Sequence, residues 1–343
     1  MEITKSKFAR LSNGQKVHLY TVSNGKMSFS ITDYGCTITA IEVPDKNGNT
    51  KDIVLGYSTF DGYLHDTKFL GSFVGRFANR ISNAKFVLNK NEYILDKNDG
   101  DNCLHSGYDK YNKKMWKAEI TETKRGSGVR FTRISPDGEQ GFPGTVKLEV
   151  TYLLNNQNEI TYRYKAVSDK DTPINLTNHS YFNLKGEGSG DILDHQLMLF
   201  CDSVLELDAH TIPTGKIVSV KDTPFDFTKE KKIGTDIDKT KNGYDHTFCI
   251  NQDGKRHTLF AKVYEPTSGR KMTISTNQPC VQLYTGNYLC KDFGKNGNCY
   301  TKYSGVCLET QQYPDAPNKE NFPSCILKAN EVFEAVTTYS FEW

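Results

Sequence analysis

Apolar and polar residues alternate with a period of two along most of the chain. Val17, Leu19 and Thr21 alternate with His18 and Tyr20. Val146, Leu148, Val150, Tyr152 and Leu154 alternate with Lys147, Glu149 and Thr151. Ile160, Tyr162 and Tyr164 alternate with Thr161, Arg163 and Lys165. The rhythm returns in Met272, Ile274 and Thr276, at Val332, and in the run from Val336 to Phe341. Successive side chains of an extended strand point to opposite faces, so this period marks half-buried strands. Asn-Gly pairs at Asn13-Gly14, Asn24-Gly25, Asn47-Gly48, Asn242-Gly243 and Asn296-Gly297 punctuate them with turn chemistry. Only Thr59 to Asp66 suggests a short helix. The expected fold is all-β, a large antiparallel β-sandwich with long loops and few short helices. No Pro/Ser-rich linker or charge block divides the chain, and no repeat of about 20–50 residues recurs. A single domain over residues 1–343 is therefore expected.

Composition agrees with a folded chain and narrows its partners. At 343 residues the chain exceeds a common domain of about 100–200, a length that all-β folds often pass as one unit. A hydrophobic fraction of 36% with 12% aromatics is enough for a core. Lys+Arg number 43 against 41 Asp+Glu, a net charge of +2, with no basic stretch, so no nucleic-acid partner is expected. Lys229 to Lys232, interrupted by Glu230, is expected to be a solvated turn. Met1 to Lys7 lacks the apolar run of a signal peptide. Nowhere do about 18 apolar residues adjoin, so no membrane partner is expected either. The nine cysteines, scattered from Cys36 to Cys325 with no C-x-x-C pair, are expected to be buried free thiols in a reducing compartment. Asn175-Leu176-Thr177 and Asn178-His179-Ser180 are formal glycosylation sequons inside the richest polar cluster, where a glycan would block chemistry. A cytoplasmic protein is expected, without metal or other cofactor. The glycine run Gly186 to Gly190 lacks the Lys-Ser/Thr of a phosphate loop and is expected to be a turn.

Candidate chemistry gathers in five places. Gly75-Arg76-Phe77-Ala78-Asn79-Arg80-Ile81 offers two guanidinium groups and an amide, either for a polar ligand or for ion pairs. Leu104-His105-Ser106-Gly107 is followed by Asp109, Lys110 and Trp116. Asn175 to Leu184 crowds Asn, His and Tyr among apolar neighbours, where polar groups must be paired or belong to a site. Tyr244-Asp245-His246-Thr247-Phe248 is the fourth. In Gly305 to Gln312, alternation places Val306, Leu308 and Thr310 on one face and Cys307, Glu309 and Gln311 on the other. A carboxylate in so apolar a strand is either a buried ion pair or a functional group. His105, His179 and His246 stand in these clusters. His18, His65, His195, His210 and His257 do not, and are expected to be surface or satisfied core residues.

These residues closely resemble one family, the aldose 1-epimerases or galactose mutarotases. Gly75 to Ile81 looks like its first signature, Asn178 to Leu184 its histidine signature and Tyr244 to Phe248 its aspartate signature. Gln282-Leu283-Tyr284-Thr285-Gly286-Asn287 matches a fourth segment. Cys307-Leu308-Glu309-Thr310-Gln311, followed by Pro314-Asp315-Ala316, Asn318 and Phe322-Pro323-Ser324, matches the glutamate signature. The motifs stand in family order over nearly the whole chain. The resemblance implies a galactose mutarotase-like supersandwich with a shallow sugar cleft. It implies His179 as general acid, Glu309 as general base, and Asn79, Arg80, His105, Tyr181, Asp245, Gln282 and Arg76 as sugar contacts, with an aldose as the partner. A monomer or weak homodimer is expected. One departure is visible: the family usually has two glycines after its first histidine, and here Ser106 precedes Gly107. That serine is expected to crowd the loop or add a hydroxyl to the pocket.

The chemistry fits these groups. Mutarotation removes the proton of the C1 hydroxyl, protonates the ring oxygen, opens the ring and recloses it on the opposite face. It needs one acid and one base that exchange roles, each contributing about 10²–10⁴-fold. Three other functions remain open on the residues alone. A hexose 6-phosphate epimerase would need a basic pocket for the dianion. A non-catalytic carbohydrate-binding module would need neither acid nor base. A glycosidase would need two opposed carboxylates, for which Asp245 and Glu309 would have to serve.

Overall fold

The structure, a computed structural model, describes residues 1–252 and 257–343. Its architecture follows from the period-two pattern. Glu159–Ser168 buries Ile160, Tyr162, Tyr164 and Ala166 and leaves the residues between them half-buried. It is the fourth strand of a nine-stranded antiparallel sheet. The order is Lys117–Thr123, Gly126–Ser135, Val146–Leu154, Glu159–Ser168, Val332–Glu342, Lys271–Thr276, Thr258–Tyr264, Gln196–Leu199 and Lys231–Lys232. On its outer face cross-strand polar pairs tie neighbours together. Arg163 Nε donates to Glu334 at 2.5 Å, and the hydroxyls of Thr161 and Thr338 meet at 3.3 Å. The short terminal strand Lys231–Lys232 replaces the solvated turn expected there, and Lys231 Nζ bonds Asp236 at 2.7 Å.

Two five-stranded sheets cover the inner face. One is a meander of Glu2–Arg10, Lys16–Ser23, Ser28–Thr32, Thr37–Pro44 and Thr50–Asp52. Asn24 makes its second turn, with Oδ1 accepting the N–H groups of Lys26 and Met27 while Gly25 takes φ 83°. The other has the order Pro213–Ser219, Ser203–Leu207, Asp245–Cys249, Cys280–Tyr284 and Cys307–Gln311. One apolar cluster joins all three sheets, taking in Tyr20, Phe29 and Ile41 from the first, Phe131, Tyr152 and Tyr339 from the large sheet, and Phe248, Val281 and Leu308 from the last. Tyr152 donates to the Cys36 carbonyl at 3.3 Å across the layers. The expected sandwich is therefore present. The expected helix is Phe60–His65, and the other helical segments are single 3₁₀ turns. Among the described residues no helix is long and apolar enough to cross a membrane.

The strand Cys307–Gln311 is buried on both faces. Leu308 packs into the inter-sheet core while the Thr310 hydroxyl meets that of Thr337 at 2.6 Å. The alternation read from the sequence thus sends Glu309 away from the core, toward a wall of loops. The short ladder Thr177–His179 with Ser72–Val74 closes that wall. Gly71 ties this ladder to the strand Thr37–Pro44 of the first five-stranded sheet. Its carbonyl accepts from Ile38 N–H at 2.9 Å and from Asn178 Nδ2 at 3.0 Å, and its N–H donates to the His179 carbonyl at 3.1 Å.

Gly71 has φ 70°, and an added Cβ would stand 1.9 Å from the Ile38 carbonyl oxygen. Neither backbone can give way without breaking these hydrogen bonds. Gly71→Ala is expected to destabilise the fold by at least ~2 kcal/mol, read as a lower urea midpoint at unchanged m-value.

Candidate active site

The register of the second five-stranded sheet assembles one side of a cleft. Asp245 pairs with Tyr284, Thr247 with Gln282, and Gln282 with Glu309. Asp245, Thr247, Gln282 and Glu309 therefore share one face. Gln282 is clamped between neighbours, accepting from the Thr247 hydroxyl at 2.5 Å and donating to Asp245 Oδ1 at 2.6 Å. Its amide orientation is fixed by these two bonds, and the Asp245 carboxylate by the second.

His179 closes the cleft from the opposite ladder. Its Nε2 lies 3.6 Å from Glu309 Oε1, with both side chains more than nine-tenths buried. Phe69 stacks on the imidazole at 5.9 Å and 23°, and the Tyr181 ring lies 4.9 Å away. His105 stands edge-on to His179 at 5.6 Å. Its Nδ1 accepts the Asn79 N–H at 3.1 Å, so in the neutral ring Nε2 carries the proton and is a donor. Arg80 donates through Nε to Asp99 at 2.8 Å, and among the described residues this is its only side-chain bond to protein. The cleft lined by these groups has a volume of about 210 Å³. That is below the ~300–1,000 Å³ of drug-sized sites and suits a molecule of monosaccharide size.

Electrostatics follow from dryness. Burial pushes the Glu309 carboxyl well above the usual carboxylate range, with the Asp245 charge adding and Arg80 opposing. Burial pulls His179 down to about 4. Burial also raises Asp245, against Arg80 and the Gln282 hydrogen bond, and holds His105 well below its ordinary value. Burial thus disfavours the charged forms of Glu309, His179, Asp245 and His105. Glu309 and His179, 3.6 Å apart, titrate as a coupled pair.

Of the expected residues, Asn79, Arg80, His105, His179, Tyr181, Asp245, Gln282 and Glu309 all line this cleft. Tyr181 contributes its ring, since its hydroxyl donates to the Lys68 carbonyl at 2.9 Å. Arg76 is a correction. It is 0% exposed, and its guanidinium donates to the Pro143 carbonyl at 2.7 Å, Thr172 Oγ1 at 3.3 Å and Ser135 Oγ at 2.6 Å. It staples three segments beneath the site and does not reach the cleft. The Ser106 expectation is also corrected. Its hydroxyl accepts the Phe77 N–H at 2.7 Å and donates to the Phe77 carbonyl at 3.1 Å, turned away from the pocket. His246 faces an adjoining cavity beside Phe225, and Trp116 lies in the core. Asn175 and Asn178 are buried and hydrogen-bonded, so neither sequon is open to a glycan. Of the nine unpaired cysteines seven are buried, but Cys290 and Cys299 are exposed, against expectation.

The sequence had not singled out Phe69, Tyr284 or Tyr288 as lining residues. Alternation could have found Tyr284, two residues from Gln282 on the same face. Phe69 carried no signal, because a turn with φ 61° brings it over the imidazole.

A β-sandwich whose cleft pairs an imidazole with a carboxyl, ringed by fixed hydrogen-bonding groups, defines an acid–base site for one small polar molecule. The family profile described as aldose 1-epimerase matches residues 18–340. The chain belongs to the aldose 1-epimerase family. It is 41% identical over 344 residues to galactose mutarotase of Mus musculus, covering 99% of each chain. It is 34% identical over 337 residues to aldose 1-epimerase of Escherichia coli K12, covering 96% of each. The crystal structure of galactose 1-epimerase from Lactobacillus acidophilus superposes with a TM-score of 0.87 at 28% identity, covering 99% of this chain and 98% of that one.

If Arg76 is a staple, Arg76→Lys loses its forked bonding and is expected to cost about 2–4 kcal/mol of stability. The KM of the folded fraction for its sugar is expected to stay unchanged. Chemical denaturation beside steady-state kinetics tests both.

Proposed function

We propose that this protein interconverts the α and β anomers of free hexoses, galactose and glucose among them, by acid–base ring opening and reclosure. The observation that carries this reading is the 3.6 Å pairing of His179 with Glu309 inside a cleft of monosaccharide size. Glu309 takes the proton of the C1 hydroxyl while His179 Nε2 gives one to the ring oxygen. The ring opens to the aldehyde with Glu309 neutral and His179 neutral. Burial opposes both charges, so their loss on ring opening runs with the desolvation of the cleft. Rotation about C1–C2 presents the other face, and the two transfers run backward. Nothing is consumed.

The ionised pair needed at the start is sustained by the bound sugar, whose hydroxyls replace water around both charges. His105 Nε2–H and the free guanidinium nitrogens of Arg80 are placed to donate to sugar oxygens. The clamped Asp245 carboxylate and Asn79 accept from or donate to hydroxyls. These bonds are fixed before the sugar arrives, so no reorganisation is spent when charge develops. The rival functions gain no support. A phosphate dianion would meet Asp245 and Glu309 beside a guanidinium already paired with Asp99. A pure binding module has no use for a paired acid and base. Seven buried unpaired thiols and two buried sequons support a reducing compartment, the cytoplasm.

Four outcomes test the reading. Wild-type protein is expected to speed the approach of fresh α-D-galactose to its final rotation, and Glu309→Gln to lose about 10²–10⁴-fold in kcat, as followed by polarimetry. A methyl galactoside, lacking a free C1 hydroxyl, should be inert. Arg80→Ala is expected to lower kcat as well as raise KM; an effect on KM alone would remove Arg80 from transition-state stabilisation. The pH profile of kcat/KM should also carry the mark of burial. Adding a second proton to the pair removes its base and must charge His179, which is held down to about 4. The acid limb is therefore expected near pH 4, well below the ~6.5 of an ordinary histidine. A limb at the ordinary histidine value would show that the cleft does not desolvate the pair.

A further inference from the structure

His179 is gripped on three sides, and the third is sulfur. Phe69 and Tyr181 pack around its ring, Nε2 faces Glu309, and Cys307 Sγ lies 3.5 Å from Nδ1. Cys307 is 0% exposed and sits two residues before Glu309 on the same face of one strand. Both partners of the imidazole edges thus come from one rigid element, one at each ring nitrogen. The Glu309 strand is itself held by five register pairs to Cys280–Tyr284.

The chemistry makes demands on Nδ1. Resting on the proposed function, His179 must give and regain its proton at Nε2. After giving it, the neutral ring must still carry a proton on Nδ1, since a ring with only Nε2–H could donate only by becoming an imidazolate. The nitrogen that keeps its proton is set by the hydrogen bond it makes. We infer that Cys307 is a positioning residue whose sulfur accepts the Nδ1–H of His179, confining proton exchange to Nε2 while placing no charge beside the ring. A carboxylate at this place would orient the ring equally well, yet would stabilise the imidazolium and make His179 a stronger base and weaker acid. Sulfur is a weak acceptor that orients with little such effect. Burial keeps the thiol itself protonated and neutral. This suits a group that must protonate a poorly basic ring oxygen. The other titratable and charged groups facing His179 are Glu309, His105, Tyr181 and Tyr284, with Lys110 behind Phe69 and, lining the same cleft, Asp245 and the Asp99-paired Arg80.

The test uses Cys307→Ala, Cys307→Ser and Cys307→Asp in the full chain, with polarimetry of α-D-galactose across the acid range. Nitrogen-15 NMR of the imidazoles, with His179→Gln for assignment, reads the tautomer without turnover. The wild-type ring is expected to show the proton on Nδ1. Cys307→Ala is expected to lose that preference and to lower kcat on the order of tenfold, with KM within about twofold of wild type. Serine, whose oxygen also accepts, should restore both. Aspartate should move the acid limb of the pH profile upward. Equal losses in the alanine and serine variants, or an alanine variant with wild-type kcat and tautomer, would overturn the inference, as would a wild-type ring protonated on Nε2 alone. If the wild-type protein fails to accelerate mutarotation, the functional reading falls by itself. The NMR arm then still decides whether sulfur sets the tautomer.

Discussion

Desolvation of one histidine and one glutamate at 3.6 Å is the constraint to which the rest of the structure answers. Neither group is well placed to be charged in that cleft. Two linkage effects oppose each other there. His179 alone, lowered to about 4, would contribute stability above its unfolded value of ~6.5 that is lost as pH falls through the window below. Glu309 alone, raised, would contribute stability below its unfolded value of ~4.5 that is lost as pH rises. The two contributions thus run in opposite directions as pH changes. Their effects on the pH dependence of the fold therefore partly offset each other.

Holding such a pair requires stiff surroundings, and the backbone supplies them with unusual conformations. Phe69, Asn79, His105 and Ser106 all have positive φ, between 51° and 67°. For residues with Cβ atoms this region costs roughly 1–3 kcal/mol and persists where neighbours over-determine it. Here the over-determination is visible. Ser106 clips its loop to Phe77 through both donor and acceptor, Asn79 and His105 exchange two bonds, and the Phe69 carbonyl accepts from Ser72. The serine that departs from the family pattern serves this clip, and the buried Arg76 supports the same segment from below.

The legible part of the molecule was the part governed by alternation. The strands Val146–Leu154, Glu159–Ser168 and Val332–Glu342 stand where period two placed them, and the face bearing Glu309 was correctly separated from the face bearing Leu308. Most of the cleft residues came from the ordered motifs and the resemblance those carry, since no local pattern tells a sugar ligand from a buried ion pair. Arg76 shows the limit. Its residue type and motif match those of Arg80, but four residues of turning chain direct one guanidinium to carbonyls and the other to the cleft. Phe69 and the sulfur at Nδ1 depend on contacts between distant segments, which spacing along one chain does not encode.

The place of Val332–Glu342 has a bearing on how the molecule comes into being. This strand lies fifth of nine in the large sheet, between Glu159–Ser168 and Lys271–Thr276, and its Tyr339 hydroxyl reaches the Leu308 carbonyl beneath Glu309 at 3.4 Å. A nascent polypeptide emerging amino end first can fold the opening meander early, yet the two halves of the main sheet stay unzipped until residues 332–342 have been made. Competence for turnover thus waits on the docking of this one strand. Until that strand joins, the exposed inner edges of the sheet are templates for wrong pairing with other chains.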